Sequence, residues 1–348
     1  MKNVTSLQIG SDLEVNVNGV LESEMQSGAA RNRVNRRDFL KMCGLVAAAL
    51  SLPGRYAHQI ADALAAAPRL PVVWLEFQDC TGDTESFLRA SPVQDPLQSG
   101  KTEPQITDLL LDHISLDYHE TIMVPSGLNA EKSLSDIVSA YQGQFVAIVE
   151  GSIPTADNGI YCTIGGRTAL SRAQEVLPKA RAVIALGSCS TDGGLAAASP
   201  NPTQAKGVND AVPGLANLVN MPGCPANVVN LVSVIVYLIT FNQLPPLDSQ
   251  KRPRFAYGET IHDDCPREDH FESGRFVLAW GDEGHKKGWC LFKMGCKGPV
   301  TRNNCNIVKW NQKTNWPVEA GHPCIGCASP SFWDLQAPIY KQLANFDD

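Results

Sequence analysis

The sequence predicts an α/β fold: a doubly wound parallel sheet through the middle of the chain, followed by a loop-rich segment organised by metal ligands. Three observations lead there. Short apolar runs alternate with helical patterns from Pro71 to Phe241, the order expected of a parallel sheet with crossover helices. From about Pro245 the alternation stops and Gly, Pro, Asn and Trp take over. Within that second stretch stand His262, Cys265, Cys290, Cys296, Cys305, Cys324 and Cys327, a density of thiol and imidazole that packing does not explain.

The chain begins with a leader. Asn35-Arg36-Arg37-Asp38-Phe39-Leu40-Lys41 precedes the apolar run Met42 to Leu52, and Ala65-Ala66-Ala67 stands before Pro68. A basic region, a short apolar region and a small-residue site make a signal peptide, and the paired arginines make it the twin-arginine type. The other reading is a helix retained as a buried anchor. The apolar run is shorter than the roughly 20 residues a spanning helix needs. Twin-arginine export carries folded, cofactor-loaded proteins, so it agrees with thiols that are metallated before they leave the cytoplasm. It places the protein in the periplasm or on the outer face of the membrane, or in the cytoplasm if the leader is not processed.

After residue 67 the strands expected are Pro71–Phe77, Glu120–Val124, Phe145–Glu150, Ala182–Leu186 and Leu218–Met221. Helices are expected at Leu134–Tyr141, Thr168–Leu177 and Val228–Phe241. Together they give a flavodoxin-like domain over 68–245, with a C-terminal domain over 246–348. In such sheets ligands collect beyond the carboxyl ends of the strands. Cys80, Cys189 and Cys224 each follow a strand, and neighbouring glycines permit close backbone approach. A long stretch without regular structure is unusual in a compact domain, but metal ligation can replace a hydrophobic core.

Composition narrows the function. A chain of 348 residues with 43% hydrophobic and 19% charged residues is globular and long enough for two domains. A net charge of −7 gives no support for nucleic-acid binding. Eleven cysteines, an odd number, argue against a simple disulfide framework. Thiolates with an occasional histidine are the donors of iron–sulfur clusters. His262, Cys265, Cys290 and Cys296 supply four donors, enough for a 4Fe-4S cluster. Cys305, Cys324 and Cys327 supply three, which suits a 3Fe-4S cluster. Cys80, Cys189 and Cys224 are one short of four.

The motifs Cys80-Thr81-Gly82-Asp83-Thr84-Glu85-Ser86, Gly187-Ser188-Cys189 and Pro222-Gly223-Cys224-Pro225 resemble those of a nickel-iron hydrogenase small subunit. So do His262-Asp263-Asp264-Cys265-Pro266-Arg267, Gly295-Cys296-Lys297-Gly298-Pro299 and Gly321-His322-Pro323-Cys324-Ile325-Gly326-Cys327. The resemblance runs over nearly the whole chain. It implies a proximal 4Fe-4S, a medial 3Fe-4S and a distal 4Fe-4S cluster in line, relaying electrons from hydrogen oxidation to an external acceptor. It also implies a large subunit that holds the nickel-iron centre, an acceptor such as a membrane cytochrome, and assembly into oligomers of heterodimers. The family's first motif reads Cys-x-x-Cys, whereas here Asp83 fills the second position. A resemblance to the actinobacterial-type branch, where an aspartate ligand occurs, makes Asp83 the fourth proximal ligand. The other reading is an ordinary loop residue beside a cluster completed by water, by another side chain, or with only three irons. Oxygen-tolerant membrane-bound members carry two extra cysteines near the proximal cluster, and the matching positions here are Gly82 and Gly194.

Of the remaining cysteines, Cys43 lies in the leader and Cys162 reads as a small buried apolar residue. His322 reads as a hydrogen-bonding neighbour of the ligands, and His270 and His285 as ordinary polar histidines. Two other classes compete. One is an iron–sulfur subunit of a quinone-linked dehydrogenase, for which the medial and distal motifs are superfluous. The other is a zinc-stabilised structural protein, which fits a three-cysteine set poorly.

Overall fold

The computed structural model describes residues 7–8, 14–15, 36–88, 113–311 and 313–344. The chain divides into the units Met1–Phe39 and Leu40–Asp348. In the first, Leu7–Gln8 pairs antiparallel with Glu14–Val15. Asn35 of the leader motif lies outside the described residues.

The segment before the sheet forms two helices, α1 (Arg36–Ala49) and α2 (Tyr56–Ala66). Met42, Cys43, Val46, Ala47 and Leu50 are buried along one face of α1 and its end, and Ile60, Ala61 and Leu64 along α2. None of the described helices is long and apolar enough to cross a membrane.

The sheet comprises β1 (Leu70–Glu76), β2 (Ile114–His119), β3 (Val146–Glu150), β4 (Ala182–Leu186) and β5 (Leu218–Met221). All neighbours are parallel, in the order β2-β1-β3-β4-β5, which is the flavodoxin-type order. Every residue of β3 and β4 is buried, so both read as unbroken apolar runs, as central parallel strands do. Glu76 pairs with Glu150, Glu150 with Leu186, and Leu186 with Met221. The strand ends are therefore level, and the loops after them leave one edge of the sheet.

The strand expected at Glu120–Val124 starts where the observed one has just ended, at His119. The pairing with β1 uses Ile114 to His119, with an irregularity between Val72 and Val73. β2 lies at the sheet edge, where Ser115 and Asp117 interrupt the apolar residues, and this hid it among polar neighbours. The more apolar Thr121–Val124 turns away into solvent, with Val124 98% exposed.

Helices α3 (Gly82–Leu88), α4 (Leu128–Ala140), α5 (Ala169–Val176), α6 (Gly187–Asp192) and α7 (Val228–Phe241) follow strands or lie between them. α7 opens with the Asn227 side chain accepting from the Val229 amide at 2.9 Å, an N-cap. It ends at Asn242 in the left-handed conformation. A helix apolar on nearly every side has to be covered on more than one. α2 covers part of it, with the Tyr56 and Phe241 rings 6.0 Å apart.

Beyond α7 the described helices have only three to five residues. The core there is small: Ile261, Val277, Leu291, Trp316 and Val318 pack with Cys305 and Cys324. The cysteines themselves form part of this core.

Candidate metal centres

The first donor set gathers at the level strand ends, beside the crevice between β1 and β3. Cys80 leaves β1, Asp83 lies in the first turn of α3, Cys189 lies in α6 after β4, and Cys224 follows β5. Cys80 and Cys224 keep exposed surface, and Cys189 is half-buried. Partial burial, together with Cys327, Cys189, Asp83 and Cys80, pushes the Cys224 thiol up to about 12. Burial pushes Cys189 up to about 11, and Asp83 and Cys80 add to the rise. Asp83 is 8% exposed and accepts from the Ala226 amide at 2.6 Å. Burial and then Glu150 hold its carboxyl well above the usual range. Gly187, at φ +82°, makes room for this carboxylate: a Cβ there would stand 2.0 Å from Asp83 Oδ2. A Cβ on Gly82 or Gly194 would stand 3.1 Å from the Cys80 sulfur or 2.6 Å from the Cys189 sulfur, respectively.

The second set, Cys305, Cys324 and Cys327, lines a cavity of about 1010 Å³ that also reaches Cys224. Trp316 and Pro317 line it too. Burial and Cys327 push Cys305 up to about 12, and burial with Cys296 and Cys327 raises Cys324 well above the thiol range. The third set, His262, Cys265, Cys290 and Cys296, lines one small pocket with Arg267, Phe271 and Phe292. The His262 ring meets Phe271 edge-on at 4.7 Å. His262 is half-buried and Asp263 and Asp264 beside it are exposed, so the histidine side of this set borders solvent.

Hydrogen bonds to backbone carbonyls link the three sets in sequence. Ser188 Oγ, beside Cys189 of the first set, donates to the Cys327 carbonyl of the second. The Lys297 amide, beside Cys296 of the third set, donates to the Cys324 carbonyl of the second at 2.7 Å. As free anions these donors are destabilised by burial and by one another. A bound cation inverts that logic and holds thiolates deprotonated. The donor chemistry therefore fits positively charged iron centres.

The remaining candidates are bystanders. Cys162 packs against the sheet core. His322 bonds the Pro323 carbonyl and the Tyr340 hydroxyl, and His285 bonds the Gly321 carbonyl.

Sequence reasoning missed a buried acidic network under the first set. Glu150, 1% exposed, ends β3 and accepts from the amides of Asp83 and Thr84, the Thr84 hydroxyl and Trp74 Nε1. Thr84 Oγ1 lies 3.2 Å from His119 Nε2, and His119 Nδ1 lies 3.4 Å from Glu76. Burial raises the Glu76 pKa, but the bonds from His119 and Thr121 outweigh it and leave the group lowered. A charged residue closing the unbroken apolar run Val146–Glu150 was the signal available in the sequence.

Two family models match the chain. "NADH ubiquinone oxidoreductase, 20 Kd subunit" covers residues 80–238, and the C-terminal model of the NiFe/NiFeSe hydrogenase small subunit covers 257–340. The periplasmic [NiFe] hydrogenase small subunit 1 of Nitratidesulfovibrio vulgaris is 49% identical over 313 residues, 90% of this chain and 95% of the relative. The quinone-reactive Ni/Fe-hydrogenase small chain of Wolinella succinogenes is 44% identical, over 90% and 85% of the two chains. Among solved structures, the [NiFeSe]-hydrogenase of Desulfomicrobium baculatum superposes with a TM-score of 0.70 at 34% identity, over 80% and 100% of the two chains. The actinobacterial-type NiFe-hydrogenase of Ralstonia eutropha gives 0.68 at 25% identity, over 80% and 84%.

The chain therefore belongs to the small subunits of nickel-iron hydrogenases. It is the electron-transfer subunit of a heterodimeric hydrogenase, carries iron–sulfur clusters and pairs with a large subunit.

Glu120 gives a pH signature. Its carboxylate accepts from the Glu76 amide at 2.9 Å, and burial pushes it up to about 8 from 4.5. A carboxyl raised by folding is disfavoured when ionised, so the wild type loses stability as pH rises from 4.5 to about 8. Glu120→Gln keeps the acceptor oxygen and removes the charge. Its melting temperature is expected to exceed that of the wild type by a margin that widens across this window and then levels. A constant margin would contradict the assignment.

Proposed function

We propose that Cys80, Asp83, Cys189 and Cys224 hold a proximal 4Fe-4S cluster, Cys305, Cys324 and Cys327 a medial 3Fe-4S cluster, and His262, Cys265, Cys290 and Cys296 a distal 4Fe-4S cluster. The observation that carries this reading is the grouping of the donors: the first set after the level strand ends, the second around one cavity and the third around one small pocket. Bound there, the clusters supply one-electron oxidation and reduction. The chain's own residues bury the second set and leave His262 at the solvent-facing side of the third set. The 68–245 segment then builds the proximal site, and 246–348 builds the other two.

Electrons released by hydrogen oxidation at the nickel-iron centre of the large subunit leave past His262 to a membrane cytochrome or another acceptor. Assembly of the heterodimers into higher oligomers is part of the same proposal. The quinone-linked dehydrogenase reading draws on the match over 80–238, which spans the proximal half alone. The distinct C-terminal match favours the three-cluster relay.

Export to the periplasm or the outer membrane face is supported by the paired Arg36 and Arg37 and by the periplasmic and quinone-reactive names of relatives. An intact-mass measurement on the purified heterodimer tests this. Loss of the residues up to the Ala65-Ala66-Ala67 region is expected, and a retained leader would contradict it.

Asp83 gives the proximal site a hard oxygen donor among thiolates. Asp83→Cys is expected to shift the proximal midpoint potential in a redox titration followed by electron paramagnetic resonance. An unchanged proximal potential would remove the carboxylate from the ligand set.

A further inference from the structure

A buried cation stands between the second and third donor sets. Lys297 directly follows Cys296, is 3% exposed, and its amide donates to the Cys324 carbonyl at 2.7 Å. Thr301 Oγ1 donates to the Lys297 carbonyl at 2.7 Å, which fixes the same turn from the other side. The side chain runs along Gly326, where a Cβ would come within 3.2 Å of Lys297 Cβ and 3.4 Å of its Cγ. Its ammonium donates to the backbone carbonyl of Lys341.

Burying an ammonium is costly unless negative charge compensates it. The hydrogen bond to Lys341 reaches a neutral carbonyl. Lys297 is joined covalently to Cys296 of the third set and through its amide to Cys324 of the second, so its charge stands beside a thiol of each. One cation therefore faces two anionic sites. Arg267 is the contrast. It donates to the Trp289 carbonyl at 2.8 Å and faces Cys265, Cys290 and Cys296, all of the third set.

We propose that Lys297 is a shared electrostatic positioning residue whose permanent charge stabilises the reduced state of both the medial and the distal cluster, so that their potentials are set together. This rests on the three-cluster reading above. Adding an electron makes a thiolate-bound cluster more negative, and cluster potentials respond to nearby charge and hydrogen bonding. A cation common to two adjacent sites raises both potentials. It thereby moves the two sites together relative to the proximal site.

The test is a redox titration of the intact heterodimer, each cluster followed by its electron paramagnetic resonance signal. Lys297→Gln is expected to lower the medial and distal midpoints together. A tenfold change in each oxidised-to-reduced ratio corresponds to about 59 mV for a one-electron couple. The proximal midpoint stays in place, and Lys297→Arg stays close to the wild type. Arg267→Gln is expected to move the distal midpoint alone. Unmoved midpoints in Lys297→Gln, movement of only one, or an equal shift of all three would overturn the proposal. Loss of a cluster in Lys297→Gln but not in Lys297→Arg supports a charge requirement, whereas loss in both reduces the lysine to packing and overturns it. Absence of the medial or distal signal from the wild type would instead defeat the three-cluster reading itself.

Discussion

Two hydrogen bonds to cysteine carbonyls, each reaching from one donor set to the next, are the constraint on which the C-terminal half depends. Ser188 Oγ, beside Cys189, donates to the Cys327 carbonyl, and the Lys297 amide, beside Cys296, donates to the Cys324 carbonyl at 2.7 Å. Past Phe241 the described helices are too short to set distances by packing, and the apolar core there includes the cysteines. An intramolecular hydrogen bond contributes roughly 0.5–1.5 kcal/mol net, and losing one leaves a buried carbonyl unpaired at greater cost. They also fix which loop lies beside which. The order of the three sites thus follows from backbone geometry.

The N-terminal half supplies the fixed end of this arrangement. Level strand ends bring Cys80, Cys189 and Cys224 to one edge from positions far apart in sequence. Glu150 at the end of β3 then ties down the start of α3, where Asp83 points toward Ala226 and the space left by Gly187. Gly187 leaves room for the Asp83 carboxylate at the edge of an otherwise regular sheet.

Sequence legibility followed the physics of each element. β4, β5 and α7 matched their expected limits because unbroken apolar runs met Gly, Pro or Asn at their ends. β2 was misplaced because an edge strand carries polar residues on its open side. The cysteines were visible as candidates by type and spacing, and Asp83 by its place in a motif. Glu150 and Lys297 were not, since a single charged residue carries no mark of burial until the chain is folded. The leader's apolar run was legible, but the contact between α2 and α7 was not, because it depends on a helix face elsewhere in the chain.

The central claim is that three donor sets hold iron in line. Anomalous diffraction at the iron edge, from crystals of the heterodimer, tests it most directly. The account predicts three separate peaks within this polypeptide: one among Cys80, Asp83, Cys189 and Cys224, one among Cys305, Cys324 and Cys327, and one among His262, Cys265, Cys290 and Cys296. Fewer than three iron peaks, or anomalous signal only at the zinc edge, would contradict it.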